Sequence, residues 1–302
     1  MRVAAVDLGT NSTRLLVADV VDGRVEEVER ALTITRLGEG VNARRKLLPL
    51  PIARVRNVLS DYRRRIEELG AERVLAVGTS AIRDADNGEA FLGEVEWSYG
   101  FSTRMLLGQE EARLTFRGAT LGRPDVDGAM VIDLGGGSTE LVTRDHAASI
   151  DIGSVRLTEQ HGEDVDAIAT HVRALLPAEL EPQSAIGVAG SITTLAALDL
   201  GLDEYDPERV HGHRLSADAV DEQLRRLGSL PLEERRRLPA LEPERAPVIV
   251  AGASIVREVL RHYNLTELEA SEHDLLYGVA LEAAELPEPA EGEAPPGAYT
   301  CC

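Results

Sequence analysis

Apolar positions along the chain follow two rhythms, and these alternate. Val3-Ala4-Ala5-Val6 and Leu15-Leu16-Val17 are short apolar runs joined by a polar turn, so residues 3–20 read as strand, turn, strand. Asp22-Gly23 is a hairpin signal, placing a third strand at 24–36. Ile52, Val55, Leu59, Tyr62, Ile66 and Leu69 then recur at helical spacing up to Gly70, which marks a helix end. The pattern continues with a strand at 73–78, a helix at 81–92, a strand at 102–107 and a helix at 110–121. The second half repeats the order: a hairpin at 129–142, a strand at 149–152 and a helix at 165–176. Two strand-glycine-helix units follow, 186–189 turning at Gly190-Ser191 into 192–198, and 248–251 turning at Gly252 into 253–262. Strands alternating with helices predict an α/β layer architecture.

Inside this alternation one phrase occurs twice. Val6-Asp7-Leu8-Gly9-Thr10-Asn11-Ser12-Thr13-Arg14-Leu15 aligns with Ile132-Asp133-Leu134-Gly135-Gly136-Gly137-Ser138-Thr139-Glu140-Leu141. A repeat at domain-sized spacing predicts two similar domains facing one cleft, each offering an Asp and a turn of phosphate size. Glycine turns of this kind gather backbone N–H groups into an anion site, to which Ser138 and Thr139 add hydroxyl donors. The copies part company at one place: Arg14 stands where the second copy has Glu140, and Thr10 and Asn11 stand where it has Gly136 and Gly137.

Composition narrows the chemistry. A chain of 302 residues with 43% hydrophobic content can build two packed cores. The net charge of −20 argues against a broad nucleic-acid surface, which needs clustered basic residues. It also requires an anionic substrate to be held by a local cationic site or by metal ions. Lys46 is the only lysine, so the cationic groups are nearly all Arg. No run approaches the roughly 20 apolar residues of a membrane span. The N-terminus enters a strand at once, leaving no room for a leader, and Cys301 and Cys302 at the far end cannot staple a core. A cytoplasmic protein is the expectation. Residues 287–302, rich in Pro, Glu, Gly and Ala, read as a disordered tail.

Neither a P-loop nor a G-x-G-x-x-G fingerprint occurs, and no G-x-S-x-G elbow. The histidines lack zinc spacing, and His211-Gly212-His213 reads as a loop. Asp7 and Asp133 stand at strand ends, and carboxylates beside a phosphate turn are expected to hold Mg²⁺ or to orient water. Glu110-Glu111 at a helix start fits either that chemistry or simple compensation of the helix dipole. Arg83, close to the Thr79-Ser80 helix start, fits either a phosphate clamp or an ion pair with Asp84 or Asp86. Gly190-Ser191, opening a helix after a strand, is placed to meet a ligand.

Taken in series, the stretches from Val6 to Arg14, Gly78 to Asn87, Gly108 to Ala119, Val131 to Leu141 and Ala189 to Ala196 resemble the exopolyphosphatase and guanosine pentaphosphate phosphatase family. That family lies within the actin, hexokinase and heat-shock ATPase superfold. The resemblance implies two ribonuclease-H-like, actin-type α/β domains facing a central cleft: residues 1–121 with a helix returning from about 275–286, and residues 122–274. It implies Mg²⁺-dependent release of orthophosphate from the end of inorganic polyphosphate. Glu111 matches the family's catalytic base, Glu140 its other catalytic glutamate and Asp133 a metal-proximal aspartate. Phosphate-binding positions fall on Asn11, Ser12, Arg83, Gly136, Gly137 and Ser138, to which the turn logic adds Gly135, Thr139, Gly190 and Ser191. The expected metal set is Asp133, Glu140, Glu111 and Asp7.

Other readings stay open: a guanosine pentaphosphate 5′-phosphatase using the same site, an actin-fold kinase or ATPase, or a non-catalytic sensor. The expected partners are polyphosphate or guanosine pentaphosphate and a second copy in a homodimer, with neither nucleic acid nor membrane. One departure concerns the family's Leu-Arg-Glu-Gly turn, matched here by Ser271-Glu272-His273-Asp274-Leu275-Leu276-Tyr277-Gly278 without the Arg.

Overall fold

A computed structural model describes residues 1–124 and 126–287; the expected tail and the Cys301-Cys302 pair lie outside them, apart from Pro287. The chain divides into two compact units, one running to Leu114 and resumed from Leu275, the other spanning Thr115–Asp274.

The first unit opens with β1 (Arg2–Leu8), β2 (Ser12–Val21) and β3 (Arg24–Ile34), an antiparallel meander. A short α1 (Val41–Arg44) leads to α2 (Pro49–Leu69). Proline in the first turn starts α2 and Gly70 at φ 71° ends it, while Val55, Leu59, Tyr62 and Ile66 form its buried stripe. Then come β4 (Arg73–Gly78), α3 (Ser80–Arg83), α4 (Gly88–Tyr99), β5 (Ser102–Met105) and α5 (Gly108–Ala119), whose last residues belong to the second unit. The sheet order is β3-β2-β1-β4-β5, with β4 and β5 parallel to β1.

The second unit repeats this plan with β6 (Ala129–Leu134), β7 (Thr139–Val142) and β8 (Ala147–Ile150) as the meander. After α6 (Ser154–His161) and α7 (Val165–Leu175), β9 (Ser184–Val188) enters parallel to β6 and turns into α8 (Gly190–Asp199). α9 (Pro207–Val210), β10 (Arg214–Ser216), α10 (Ala217–Ser229), α11 (Leu232–Arg235) and α12 (Ile249–His262) precede β11 (Glu267–Ala270). The order β10-β11-β9-β6-β7-β8 is the first sheet's order with one strand added at the edge. Finally α13 (Leu275–Glu285) packs on the first sheet and comes so close to α5 that a Cβ on Gly278 would lie 2.1 Å from the Leu114 carbonyl oxygen.

Three local expectations change. Residues 248–251 are not a strand: Val248 is the N-cap of α12, which takes in 249–251 and has nearly all its residues buried. A helix buried all round reads as an apolar run, which periodicity cannot separate from a strand. Gly252 serves close packing there, since a Cβ would lie 2.6 Å from Ser191 Oγ. The helix expected at 81–92 is two helices, because Asn87 spends its side-chain amide on both backbone groups of Leu47 and turns the chain between them. The strand expected at 149–152 lies two residues earlier, as Ile152 turns toward α6.

Candidate active site

The first copy of the repeated phrase is a tight β1–β2 turn closed by Gly9 N–H donating to the Ser12 carbonyl at 3.0 Å. A neighbouring segment braces it: Thr35 and Arg36 N–H donate to Asn11 O, and Gly38 N–H to Thr10 O. The Thr13 and Thr35 hydroxyls bond each other at 2.9 Å, and Tyr62 donates to Thr13 O. Asp7, only 4% exposed, faces Arg14 across the ladder and is held by its guanidinium at 2.8 Å.

The second copy closes with the same bond at the same length, Gly135 N–H to Ser138 O at 3.0 Å. Here the brace is the start of α6. Ser154 N–H donates to Gly135 O, Val155 and Arg156 N–H to Gly136 O, and Arg156 Nε to Gly137 O at 2.6 Å. The turn's carbonyls are therefore engaged by α6. The approach needs glycine at 153, where a Cβ would fall 2.4 Å from Gly136 O. Thr139 donates to Ile152 O, as Thr13 is tied to Thr35 in the first copy.

What differs is the charged pair across the ladder. Asp133 faces Glu140, two carboxylates at 6% and 1% exposure. Like charges directly opposite each other in a sheet are about 5 Å apart at Cβ and destabilise it. Ser149 Oγ donates to Glu140 at 2.7 Å and Thr115 Oγ1 to Asp133 at 2.9 Å, hydrogen bonds that do not remove the charge. A pair of buried carboxylate oxygens is the donor chemistry of a hard divalent cation such as Mg²⁺, so these residues fit that ion. Among the described residues, however, no group of three or more His, Cys, Asp or Glu is gathered as a metal site. The expected set of four carboxylates is thus not assembled as one cluster: Asp7 is engaged by Arg14 and Glu111 by Arg83.

Glu110 and Glu111, indistinguishable in sequence, separate cleanly. Glu110 reaches back to Leu107 N–H at 2.8 Å, the return half of a capping box at the start of α5. Glu111, 7% exposed, instead meets Arg83, whose Nη1 donates to Glu111 Oε2 and to Leu106 O, both at 2.9 Å. Arg83 pairs with neither of the aspartates expected as its partners among the ion pairs described.

Gly190 and Ser191 begin α8 beside the second turn's strand, since Val188 is in register with Asp133. Ala189 before them is held at φ 69°, and the Arg245 guanidinium packs so tightly on Gly190 that a Cβ there would lie 2.1 Å from it. Ser191 is buried against α12. Where the family's arginine turn is matched, Ser271 Oγ caps its own loop by bonding His273, and the His211 and His273 rings lie 4.6 Å apart. The bracing segments, Thr115 and Arg245 were not reached by sequence reasoning. Their only signal was a glycine after the third strand of each meander, Gly38 and Gly153.

With this geometry in place the chain can be compared with known proteins. Residues 16–286 match the Ppx/GppA phosphatase family. Exopolyphosphatase 2 of Mycobacterium tuberculosis is 39% identical, over 94% of this chain and 98% of that one. The crystal structure of an exopolyphosphatase-like protein superposes with a TM-score of 0.87 at 33% identity, covering 94% of this chain and 99% of that one. A guanosine-5′-triphosphate,3′-diphosphate pyrophosphatase of Photobacterium profundum is 28% identical, over 92% of this chain and 58% of that protein. The chain belongs to the Ppx/GppA phosphatase family, with the α/β actin-like ATPase fold that family carries.

Proposed function

We propose that this member of the Ppx/GppA phosphatase family is an exopolyphosphatase, hydrolysing the terminal phosphoanhydride bond of inorganic polyphosphate to release orthophosphate. The observation that carries the reading is the contrast between the duplicated turns: a neutralised Asp7–Arg14 pair in one, an Asp133–Glu140 carboxylate pair in the other. A turn of glycines beside two carboxylates that face each other across the ladder suits a phosphate together with a cation. The first alone would suit only an anion.

Phosphoryl transfer to water asks for a positioned water, neutralised phosphoryl oxygens and little covalent chemistry. Glu111 is the proposed base: it orients the attacking water and accepts its proton, while Arg83 holds its carboxylate in one orientation. Arg83, Asn11, Ser12, Gly135, Gly136, Gly137, Ser138, Thr139, Gly190 and Ser191 are the proposed phosphate donors. Asp133 and Glu140 would hold Mg²⁺, which when bound supplies charge neutralisation to the phosphoryl oxygens. A cytoplasmic setting and a homodimer belong to the same reading. No helix among the described residues is long and apolar enough to cross a membrane.

The second reading, a guanosine pentaphosphate 5′-phosphatase, draws on the pyrophosphatase relative at lower identity and uses the same groups. One assay separates them. Orthophosphate release is measured from long polyphosphate, short polyphosphate and guanosine pentaphosphate with Mg²⁺. Preference for polyphosphate is expected; preference for the nucleotide transfers the assignment to the second reading. No release from any substrate overturns both.

A further inference from the structure

Between Glu39 and Asp61 the chain carries no acidic residue, the longest such stretch in a sequence with 52 of them. Those 21 residues hold Arg44, Arg45, Lys46, Arg54 and Arg56, a basic island in a chain of net charge −20. Two of the cations are spent inside the fold, Arg54 on Glu39 at 2.8 Å and Arg56 on Glu94 through bonds of 2.6 and 2.7 Å. Arg44, Arg45 and Lys46 are exposed. Arg45 meets Asp86 only at 3.8 Å, with side chains 70% and 69% exposed, a pair that screens little of its charge. Local conformation does not ask for arginine at 45. The residue ends α1 at φ 49°, a left-handed position that Gly or Asn fills at less cost, so keeping Arg there points to a role for its side chain.

Tertiary bonds fix where this run lies. Arg45 O accepts from Asp86 N–H at 2.8 Å, and the Asn87 side chain holds both backbone groups of Leu47. Asp86 stands three residues beyond Arg83, a separation of at most about 11 Å. The segment leading into the run is bound to the first turn, through Gly38 N–H on Thr10 O and Arg36 N–H on Asn11 O. The run therefore borders Asn11, Ser12 and Arg83, proposed above as phosphate donors.

We propose that Arg44, Arg45 and Lys46 form a docking edge for inorganic polyphosphate, holding phosphates beyond the one being cleaved. This rests on the reading of the protein as an exopolyphosphatase and says which part of that substrate the run serves. Polyphosphate carries charge on every phosphate, so three adjacent cations can each displace a condensed counterion from it. Guanosine pentaphosphate ends in a nucleoside and offers no such continuation. Residues 40–60 also contain no aromatic side chain on which a base could stack, which favours polyphosphate over RNA.

The test combines Arg44→Gln, Arg45→Asn and Lys46→Gln in the full chain, with Asn suiting the left-handed position. Binding of end-labelled long polyphosphate is followed by fluorescence anisotropy in EDTA at several salt concentrations. Exposed cations are worth little singly, so the three together should weaken binding about tenfold. The slope of log K against log salt should fall by about 2. In turnover, KM for long polyphosphate should rise about tenfold while KM for tripolyphosphate stays within about twofold. Unchanged affinity and salt slope overturn the proposal. An equal loss on neutralising three arginines of α2, by Arg63→Gln, Arg64→Gln and Arg65→Gln, also overturns it, because net charge would then account for the effect. So does a single-stranded RNA that binds as tightly as polyphosphate. Should the triple variant not fold by circular dichroism, Lys46→Gln alone replaces it, with about a twofold loss expected and no loss overturning the proposal. A parent that binds polyphosphate through these residues but releases no phosphate from any substrate overturns the proposed function and leaves the docking edge standing.

Discussion

The two glycine turns share a backbone and differ in charge. Gly9–Ser12 and Gly135–Ser138 close with one bond of one length, and each is braced by the segment that follows the third strand, to which Thr13 is tied through the Thr35 hydroxyl and Thr139 through the Ile152 carbonyl. Yet across the ladder the first sets Arg14 on Asp7 and the second sets Glu140 against Asp133. The lesson is that a duplicated scaffold keeps its geometry through main-chain bonds, which leave the cross-strand side chains unconstrained. Chemistry is then free to diverge at one cross-strand position. One turn sets a guanidinium on its carboxylate; the other sets two carboxylates face to face.

Four experiments would break or sharpen that contrast. The largest effect is expected at Glu111, the proposed base. Glu111→Gln should lower kcat by about 10³-fold, within the usual range for a general base, with the fold retained by circular dichroism although the Arg83 ion pair is weakened. A rate within tenfold of the parent would remove Glu111 from that role.

Next come the two charged pairs, which should respond with opposite signs. Arg14→Met leaves Asp7 buried without its guanidinium and should cost about 3 kcal/mol in urea unfolding. Asp133→Asn relieves a like-charge pair and, without divalent cation, should leave stability unchanged or raise it by up to about 1 kcal/mol. Two losses of equal size would mean that the second pair is compensated like the first.

The braces come third. Gly153→Ala drives a Cβ against the Gly136 backbone, 2.4 Å away, and should cost about 2 kcal/mol with loss of activity. Gly38→Ala meets chiefly a side-chain methyl, Thr10 Cγ2 at 2.3 Å, and should cost less because that group can turn aside. Equal costs would argue against the second turn being the more rigid.

The smallest effect separates the units by pH. All seven histidines fall between residues 146 and 273, inside the second unit. His171 is held below the usual imidazole range, first by burial and then by His161, with which it shares a 2.9 Å hydrogen bond. A depressed folded value means that the unfolded chain takes up the proton first as pH falls. Stability is therefore present above the ordinary imidazole value and is lost as pH drops through the folded one. Hydrogen exchange at pH 5.5 against pH 7 should show the second unit loosening and the first unchanged. The midpoint should move by only about 2 °C. Faster exchange confined to the first unit would contradict this.

Much of this was legible in the chain itself. The repeat, the strand-turn-strand phrase around each Asp and the helix ending at Gly70 depend on residues close in sequence. Hydrophobic period and turn chemistry report those directly. The reading failed where the deciding neighbour was distant. Residues 248–251 looked like a strand because burial on all sides erases helical period, and the wall that buries them includes Ser191 on α8. The helix at 81–92 broke because Asn87 bonds Leu47, forty residues away.

By itself, then, the sequence determined that there are two copies, which residues form their turns, and that Arg14 and Glu140 occupy equivalent places. Only the tertiary structure decided what those places mean. It put Glu110 on a helix cap and Glu111 on Arg83, tied Asp133 to Thr115, and set α6 against the carbonyls of Gly135, Gly136 and Gly137. The physical reason is one of range. Backbone conformation is governed by nearest neighbours and the period of apolar residues, whereas the partner of a buried charge is chosen by packing among elements far apart in the chain.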